Sequence, residues 1–421
     1  MGKGRYYVSK NCIDERSGAY STEYLTAYLF LLRCLNNQLV MHSRNPFTGS
    51  RRVFASIWGK PLPQNMYRMN KMPLESYKAL SPADPLVFGF WKVPRDVCAE
   101  VCYNAIKAGY RRLDFACDYG NEKEAGEGLA KALKEGLCTR DELFITSKLW
   151  NTYHKKEHVP LAMARTLQDL QLKYVDEYLI HFPISMEYVP FEQKYPPEWH
   201  NMEGKMVLVD QDIGETWQAM EGLQREGKCR QIGVCNFSSQ LLRHLLSTCT
   251  IRPTTLQVEL HPQNSQSRLI RFAREQGMRV TAFSIFGATS YHELGNTSQS
   301  LLENETITSI AKCKSKSSAQ ILVRWALQRG TLPLCKSSNP SRMIENRNVF
   351  DFFLTQSEMN LIDKLNQNLR FNDPGDFCEG AFGTYCPIYE WSKMLKNDKQ
   401  GKVNCSLKTN KWKRTKNELR K

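Results

Sequence analysis

Nowhere in the 421 residues does Gly-x-Gly-x-x-Gly occur, so a dinucleotide fold announced by a glycine-rich first turn has no support. His-Glu-x-x-His and Gly-x-Ser-x-Gly are missing too, and the eight histidines are scattered. A metal centre and a nucleophile elbow therefore lack carriers, and no metal is expected. The fourteen cysteines include no Cys-x-x-Cys, and Cys117, Cys235 and Cys335 fall in or beside apolar runs. Reduced, buried thiols in a cytoplasmic enzyme are the simplest account. Long apolar runs are absent as well. The nearest approach, Tyr24–Leu35, is too short to span a bilayer and is interrupted by Arg33. A basic stretch precedes it, but no small-residue cleavage site follows, which disfavours a signal peptide.

What is present reads as an ordinary globular chain, 41% hydrophobic and 24% charged. Its net charge of +15 is unevenly placed. Residues 1–80 hold twelve Lys/Arg against four Asp/Glu, and residues 391–421 hold eleven against two. Residues 81–390 are close to neutral. The division expected is a basic N-terminal extension (1–80), one domain (81–390) and a basic C-terminal tail (391–421), with both ends disordered. Lys408–Lys416 carries one aromatic, Trp412, and no groove-reading motif, so a solvated tail is favoured over a nucleic-acid or membrane tether.

From about residue 95 short apolar runs alternate with helical patterns. The strand-like runs are Arg112–Ala116, Leu143–Trp150, Val175–Phe182, Gln231–Phe237, Thr254–Leu260, Arg279–Gly287, Leu332–Ser338 and Asn348–Phe353. Helical spacing covers Glu122–Lys134, Pro160–Leu170, Glu215–Glu226, Ser267–Gln276 and Ala319–Gln328. Eight runs alternating with helices predict an α/β fold, a (β/α)8 TIM barrel. One connection breaks the rhythm. Residues 183–214 form a long loop rich in aromatics (Tyr188, Phe191, Tyr195, Trp199), expected to be a lid beside His181.

Polar residues recur late in successive runs: Asp114 and Tyr119, Lys148, His181, Asn236, Gln257, Ser284 and Lys336. In this fold chemistry gathers where strands end. Reducing a carbonyl needs a hydride and a proton. A phenol can supply the proton if a neighbouring cation lowers its pKa. Lys148 can be that cation for Tyr119, Asp114 can hold Lys148 charged, and His181 can donate to the substrate oxygen. Taken singly, each is ordinary: a chance Asp-x4-Tyr, a strand-end lysine, a satisfied core histidine.

Arg-Arg-Leu-Asp-Phe-Ala-Cys-Asp-Tyr-Gly-Asn-Glu (111–122), Ser-Lys-Leu-Trp-Asn-Thr-Tyr-His (147–154) and Tyr-Leu-Ile-His-Phe-Pro (178–183) resemble the aldo-keto reductase superfamily, and within it the xylose and aldose reductase group. Ile-Gly-Val-Cys-Asn-Phe (232–237), Leu-Gln-Val-Glu (256–259), Lys-Ser-Ser-Asn-Pro-Ser-Arg-Met-Ile-Glu-Asn (336–346) and Leu-Arg-Phe-Asn-Asp-Pro (369–374) extend the likeness, which runs from about Pro85 to Glu390. The resemblance implies a catalytic tetrad of Asp114, Tyr119, Lys148 and His181. It implies NADPH, with NADH as the alternative, bound without a glycine fingerprint. Cys235, Asn236, Gln257 and Phe283 would hold the nicotinamide and Ser284 the bridging phosphates. Lys336, Ser337, Ser338 and Arg342 would hold the 2′-phosphate end, and Glu345 and Asn346 the adenine. Trp91, Asp118, His181, Phe182 and Asn372 would line a site for an open-chain aldose such as D-xylose.

Several positions depart from that pattern. Cys235 stands where the group usually has Ser, Phe283 where Tyr is common, and Phe182 where many branches have Trp. Ser338 stands where xylose reductases often have Asn, which bears on NADH use. The hairpin that usually closes the barrel bottom reads as shortened, since Asp84–Trp91 lacks one expected Gly. The partners implied are a small aldehyde or aldose, no nucleic acid and no membrane span, with the chain a monomer or homodimer. A cofactor-binding regulatory barrel without turnover is the alternative function.

Overall fold

The computed structural model describes residues 84–287, Tyr291 and 300–374; the two basic ends lie outside the described residues. Eight short strands run parallel and close into a barrel in chain order: β1 Val87–Gly89, β2 Arg112–Asp114, β3 Phe144–Leu149, β4 Val175–Ile180, β5 Cys229–Cys235, β6 Thr255–Glu259, β7 Arg279–Phe283 and β8 Leu332–Cys335. The ring closes where Val87 and Phe88 pair with Leu334 and Cys335. Strands buried on both faces need apolar residues at nearly every position. In β4, Val-Asp-Glu-Tyr-Leu-Ile, all six are buried. Its two acids are neutralised in place: Asp176 pairs with Arg140 at 2.8 Å, and Glu177 accepts from Thr146 Oγ1 at 3.2 Å and lies 3.3 Å from Arg279 Nη2.

Around the barrel lie α1 Arg95–Lys107, α2 Glu122–Lys134, α3 Val159–Asp169, α4 Ile213–Arg225, α5 Ser239–Thr248, α6 Ser267–Glu275, α7 Glu305–Lys314, α8 Ser318–Gln328, α9 Pro340–Arg347 and α10 Gln356–Asp363. Their starts follow from capping residues in the sequence. Ser317 and Gln320 close a capping box on α8, Thr355 and Glu358 do the same on α10, and Asn339 accepts from Ser341 and Arg342 ahead of Pro340 on α9.

The strand count of eight holds, but its membership changes. Asn348–Phe353, expected as the last strand, is the extended link between α9 and α10, and it leaves Phe353 71% exposed. The first strand is instead Val87–Gly89, within the segment read as a shortened hairpin. Once β1 pairs with β8, no edge remains for another strand. Three residues ending at a glycine carry too little periodicity to stand out beside a six-residue run with three phenylalanines and valine. Asp114 and Tyr119 therefore belong to the second strand and its loop. The five helical patterns noted above match α2, α3, α4, α6 and α8 to within about two residues.

Candidate active site

All but one of the late polar residues expected from the sequence fall at or just beyond the carboxyl-terminal end of a strand. Asp114 ends β2, Lys148 is the penultimate residue of β3, and His181, Asn236, Ser284 and Lys336 each directly follow β4, β5, β7 and β8. Gln257 lies within β6. Tyr119 ends the short 3-10 turn Cys117–Tyr119, and Gly120 then takes φ +71°, a left-handed conformation that costs glycine little.

Lys148 is fully buried and makes three contacts through Nζ. It donates to Asp114 Oδ1 at 2.5 Å, to the Phe115 carbonyl at 2.9 Å and to the Tyr119 hydroxyl at 3.0 Å. Gln257 Nε2 holds the other Asp114 oxygen at 2.7 Å. Burial works against the ammonium, but Asp114 first and Tyr119 second raise its pKa above the ordinary lysine value. Tyr119 departs from the expectation of a lowered phenol. Burial raises its pKa, Lys148 pulls it down without compensating, and Asp114 and Asp118 add to the rise. Burial is the main reason, and the Lys148 cation offsets it only in part because it is already shared with a carboxylate at shorter range. The phenol is thus held neutral, the state in which it can give up a proton.

His181 sits under the lid. Its Nδ1 lies 3.0 Å from Asp118 Oδ1, at ion-pair distance but out of hydrogen-bond alignment, so this contact does not fix the imidazole tautomer. Asn236 Nδ2 donates to the His181 carbonyl at 2.8 Å, and Asn236 adopts φ +65° to do so. The ring stacks on Phe182 at 4.9 Å and meets Trp150 edge-on at 5.3 Å. Trp199 of the long loop caps both, at 5.0 Å from Trp150 and 5.1 Å from Phe182. The same loop is also anchored where Tyr195 donates to Asp169 at 2.8 Å beneath the Arg165 guanidinium. The aromatic loop therefore does lie beside His181, as its composition suggested.

The remaining residues fall into two groups. At the mouth, Cys235 is buried with Sγ 3.2 Å from Asn236 Nδ2, and burial raises its thiol pKa against the pull of Lys148. Half-buried Phe283 ends β7. Ser284, at φ +56°, shares a 2.7 Å hydrogen bond with the Tyr291 hydroxyl. Trp91 meets Tyr291 at 5.6 Å, and the Asn372 N–H donates to Glu259 at 2.8 Å. On the rim, Lys336, Ser338, Arg342 and Glu345 are exposed, Ser337 is half-buried and Asn346 is buried, all around the capped start of α9. The structure thus joins the tetrad to Asp118, Phe182, Cys235, Asn236 and Gln257, and sets the α9 group apart.

Sequence reasoning passed over Glu259, His261 and Tyr291. Glu259 was visible as a carboxylate ending an apolar strand, the same signal that marked Lys148. Tyr291 had no such signal, because its ring contacts with Trp91 and Phe371 join positions far apart in the chain. Among the described residues no cluster of His, Cys, Asp or Glu could hold a metal ion.

Residues 85–367 match the profile of the aldo/keto reductase family. A probable NAD(P)H-dependent D-xylose reductase from Emericella nidulans is 49% identical over 298 residues, which span 70% of this chain and 93% of that protein. An NAD(P)H-dependent D-xylose reductase from Scheffersomyces stipitis is 50% identical over 296 residues, 69% of this chain and 93% of that one. Among solved structures, a Bombyx mori aldo-keto reductase in complex with NADP superposes with a TM-score of 0.62 at 34% identity. That match covers 71% of this chain and 94% of the silkworm chain.

Proposed function

The chain belongs to the aldo/keto reductase family, and from that premise we propose that it reduces open-chain aldoses such as D-xylose to alcohols with NADPH, Tyr119 giving the proton. The observation that carries this reading is the Lys148 ammonium, buried and shared between Asp114 and the Tyr119 hydroxyl. A buried lysine that only closed a strand would need no phenol 3.0 Å away. The alternative, a regulatory barrel without turnover, leaves this arrangement without a use.

The donor set fits a dinucleotide phosphate. Lys336 and Arg342 supply cations and Ser337 and Ser338 hydroxyls at the N-terminus of α9, the combination that suits a 2′-phosphate. Asn236, Gln257, Cys235 and Phe283 would hold the nicotinamide end, Ser284 the bridging phosphates, and Glu345 and Asn346 the adenine. When bound, the cofactor supplies a hydride to the carbonyl carbon. His181 orients the carbonyl oxygen, and Tyr119 transfers its phenolic proton to that oxygen as negative charge develops there. Lys148 then stabilises the phenolate, while Asp114 and Gln257 keep Lys148 in place. Trp199 of the long loop, packed on Phe182, would exclude water from this transfer.

Trp91, Asp118 and Asn372 offer an aromatic wall, a carboxylate and an amide, which suit the hydroxyls of a sugar better than a bulky apolar aldehyde. The reading also takes residues 81–390 as the catalytic domain, a cytoplasmic setting, and a monomer or homodimer. No helix among the described residues is long and apolar enough to cross a membrane. The test is NADPH oxidation followed by absorbance with D-xylose, beside NADH and Tyr119→Phe. Turnover that falls about 10²–10⁴-fold in Tyr119→Phe, with NADPH binding retained, is expected. Tight NADPH binding with no turnover of xylose or short aldehydes would replace this reading with the regulatory one.

A further inference from the structure

Glu259 has no part in the reaction above, yet it is the last residue of β6 and fully buried at the barrel mouth. It lies two residues beyond Gln257, on the same face of the strand. Its carboxylate accepts three donors. Oε1 takes the Phe371 N–H at 2.8 Å and lies 2.9 Å from His261 Nε2, and Oε2 takes the Asn372 N–H at 2.8 Å. Burial alone would raise its pKa, but the His261 hydrogen bond and charge, Arg370 and the Phe371 N–H together hold it below the usual carboxylate range.

Two consecutive main-chain amides on one buried carboxylate fix the direction of the chain at that point. The segment before them is tied to the loop after β6, where Gln367 and Leu369 N–H both donate to the Gln263 carbonyl at 3.0 Å. Beyond the clasp, Phe371 stacks between His261 at 4.8 Å and Tyr291 at 5.7 Å. Tyr291 in turn touches Trp91 on one side and Ser284 on the other. Phe371 thus links the 371–372 backbone to Tyr291 by ring contact.

We infer that Glu259 is a positioning residue that clasps the 370–372 turn across the mouth, seating Asn372 over the substrate and, through Phe371 and Tyr291, aligning Trp91 with it. The inference rests on the reductase reading for its substrate, but the clasp itself does not. Glu259 touches no reacting atom. Its effect is carried by the wall of the substrate site, which binds ground state and transition state alike, so its loss raises KM and spares kcat.

The experiment uses the full chain with Glu259→Gln and Phe371→Leu. Glu259→Gln keeps the volume but removes the charge and turns an amide donor toward a main-chain N–H. Its KM for D-xylose rises at least about tenfold, kcat falls less than about threefold, and NADPH affinity measured by fluorescence is unchanged. Trypsin cleavage after Arg370, followed by mass, accelerates in the same variant whether or not any sugar is turned over. Phe371→Leu, which keeps the Glu259 carboxylate and both main-chain amides, raises KM in the same direction and decides the matter should Glu259→Gln not fold. An unchanged KM with unchanged cleavage overturns the inference, as does a loss confined to kcat or to NADPH binding. Should the wild type reduce no aldose, the reductase reading fails alone, and the rate of cleavage at Arg370 still judges the clasp.

Discussion

At the scale of the residue, Lys148 shows how one buried charge can be structural and chemical together. Its partner Asp114 is almost fully buried, so removing the cation leaves a carboxylate whose remaining side-chain donor among the described residues is Gln257. Lys148→Met is expected to lose activity by about 10²–10⁴-fold and to destabilise the fold by about 3–5 kcal/mol. The double variant Lys148→Met/Asp114→Asn should recover most of the stability and none of the activity. Recovery of turnover on removing both charges would sink the role given to the ammonium. NADPH oxidation and urea denaturation, run on the same three proteins, make the comparison. The identities of these residues were legible in the sequence, because polar groups late in apolar strands have few other uses. The raised Tyr119 phenol was not, since it depends on how burial and Asp114 offset Lys148.

At the scale of the element, α2 is instructive because it carries two glycines that lower its intrinsic helix propensity. A Cβ on Gly126 would collide with the Asp169 carbonyl and the Leu170 backbone at the end of α3, and one on Gly128 with the Ala99 carbonyl of α1. Each glycine admits a neighbouring helix. Gly222 in α4 is the control, with nothing within 4 Å of the position its Cβ would take. Gly128→Ala should therefore destabilise by about 1–3 kcal/mol through overpacking, although alanine is the better helix former. Gly222→Ala should stabilise by about 0.5–1 kcal/mol. Equal signs for the two in thermal denaturation would refute the packing argument. Five of the ten helices among the described residues could be read from periodicity, whereas β1 could not. Its strand character comes from pairing with β2 and β8, whose register partners lie 25 and 247 positions away in sequence.

At the scale of the whole molecule, two buried groups shape stability against pH in opposite directions. Glu122 accepts from Ser147 and Thr166 but is pushed up to about 8, by burial first and by Asp169 and Asp118 in addition. His154 is pushed down to about 3, by burial first and then by His181. Raising the folded pKa of Glu122 from 4.5 means that stability is lost as pH rises from about 4.5 to about 8. Lowering that of His154 from 6.5 means that stability is lost as pH falls from about 6.5 to about 3. Between about 4.5 and 6.5 the two slopes cancel, so the melting temperature should be flat there and decline on both sides. Glu259, held low, adds to the acid limb. Glu122→Gln should abolish the alkaline decline, and His154→Asn should flatten the acid one. A melting profile of Glu122→Gln that still falls between pH 6.5 and 8 would remove Glu122 from this account.

What the sequence determined by itself is what repeats or what stays local. Alternating apolar runs and helices specify a barrel, capping residues specify where helices begin, and polar residues late in most of the strands specify the chemistry at one face. Those signals survive in one dimension because each depends on neighbours a few positions away. The tertiary structure alone decided which segment closes the ring, that burial raises the Tyr119 phenol rather than Lys148 lowering it, and that Glu259 holds the 371–372 turn. Closure, desolvation and a carboxylate reaching two amides 112 and 113 residues away all depend on groups that only folding brings together.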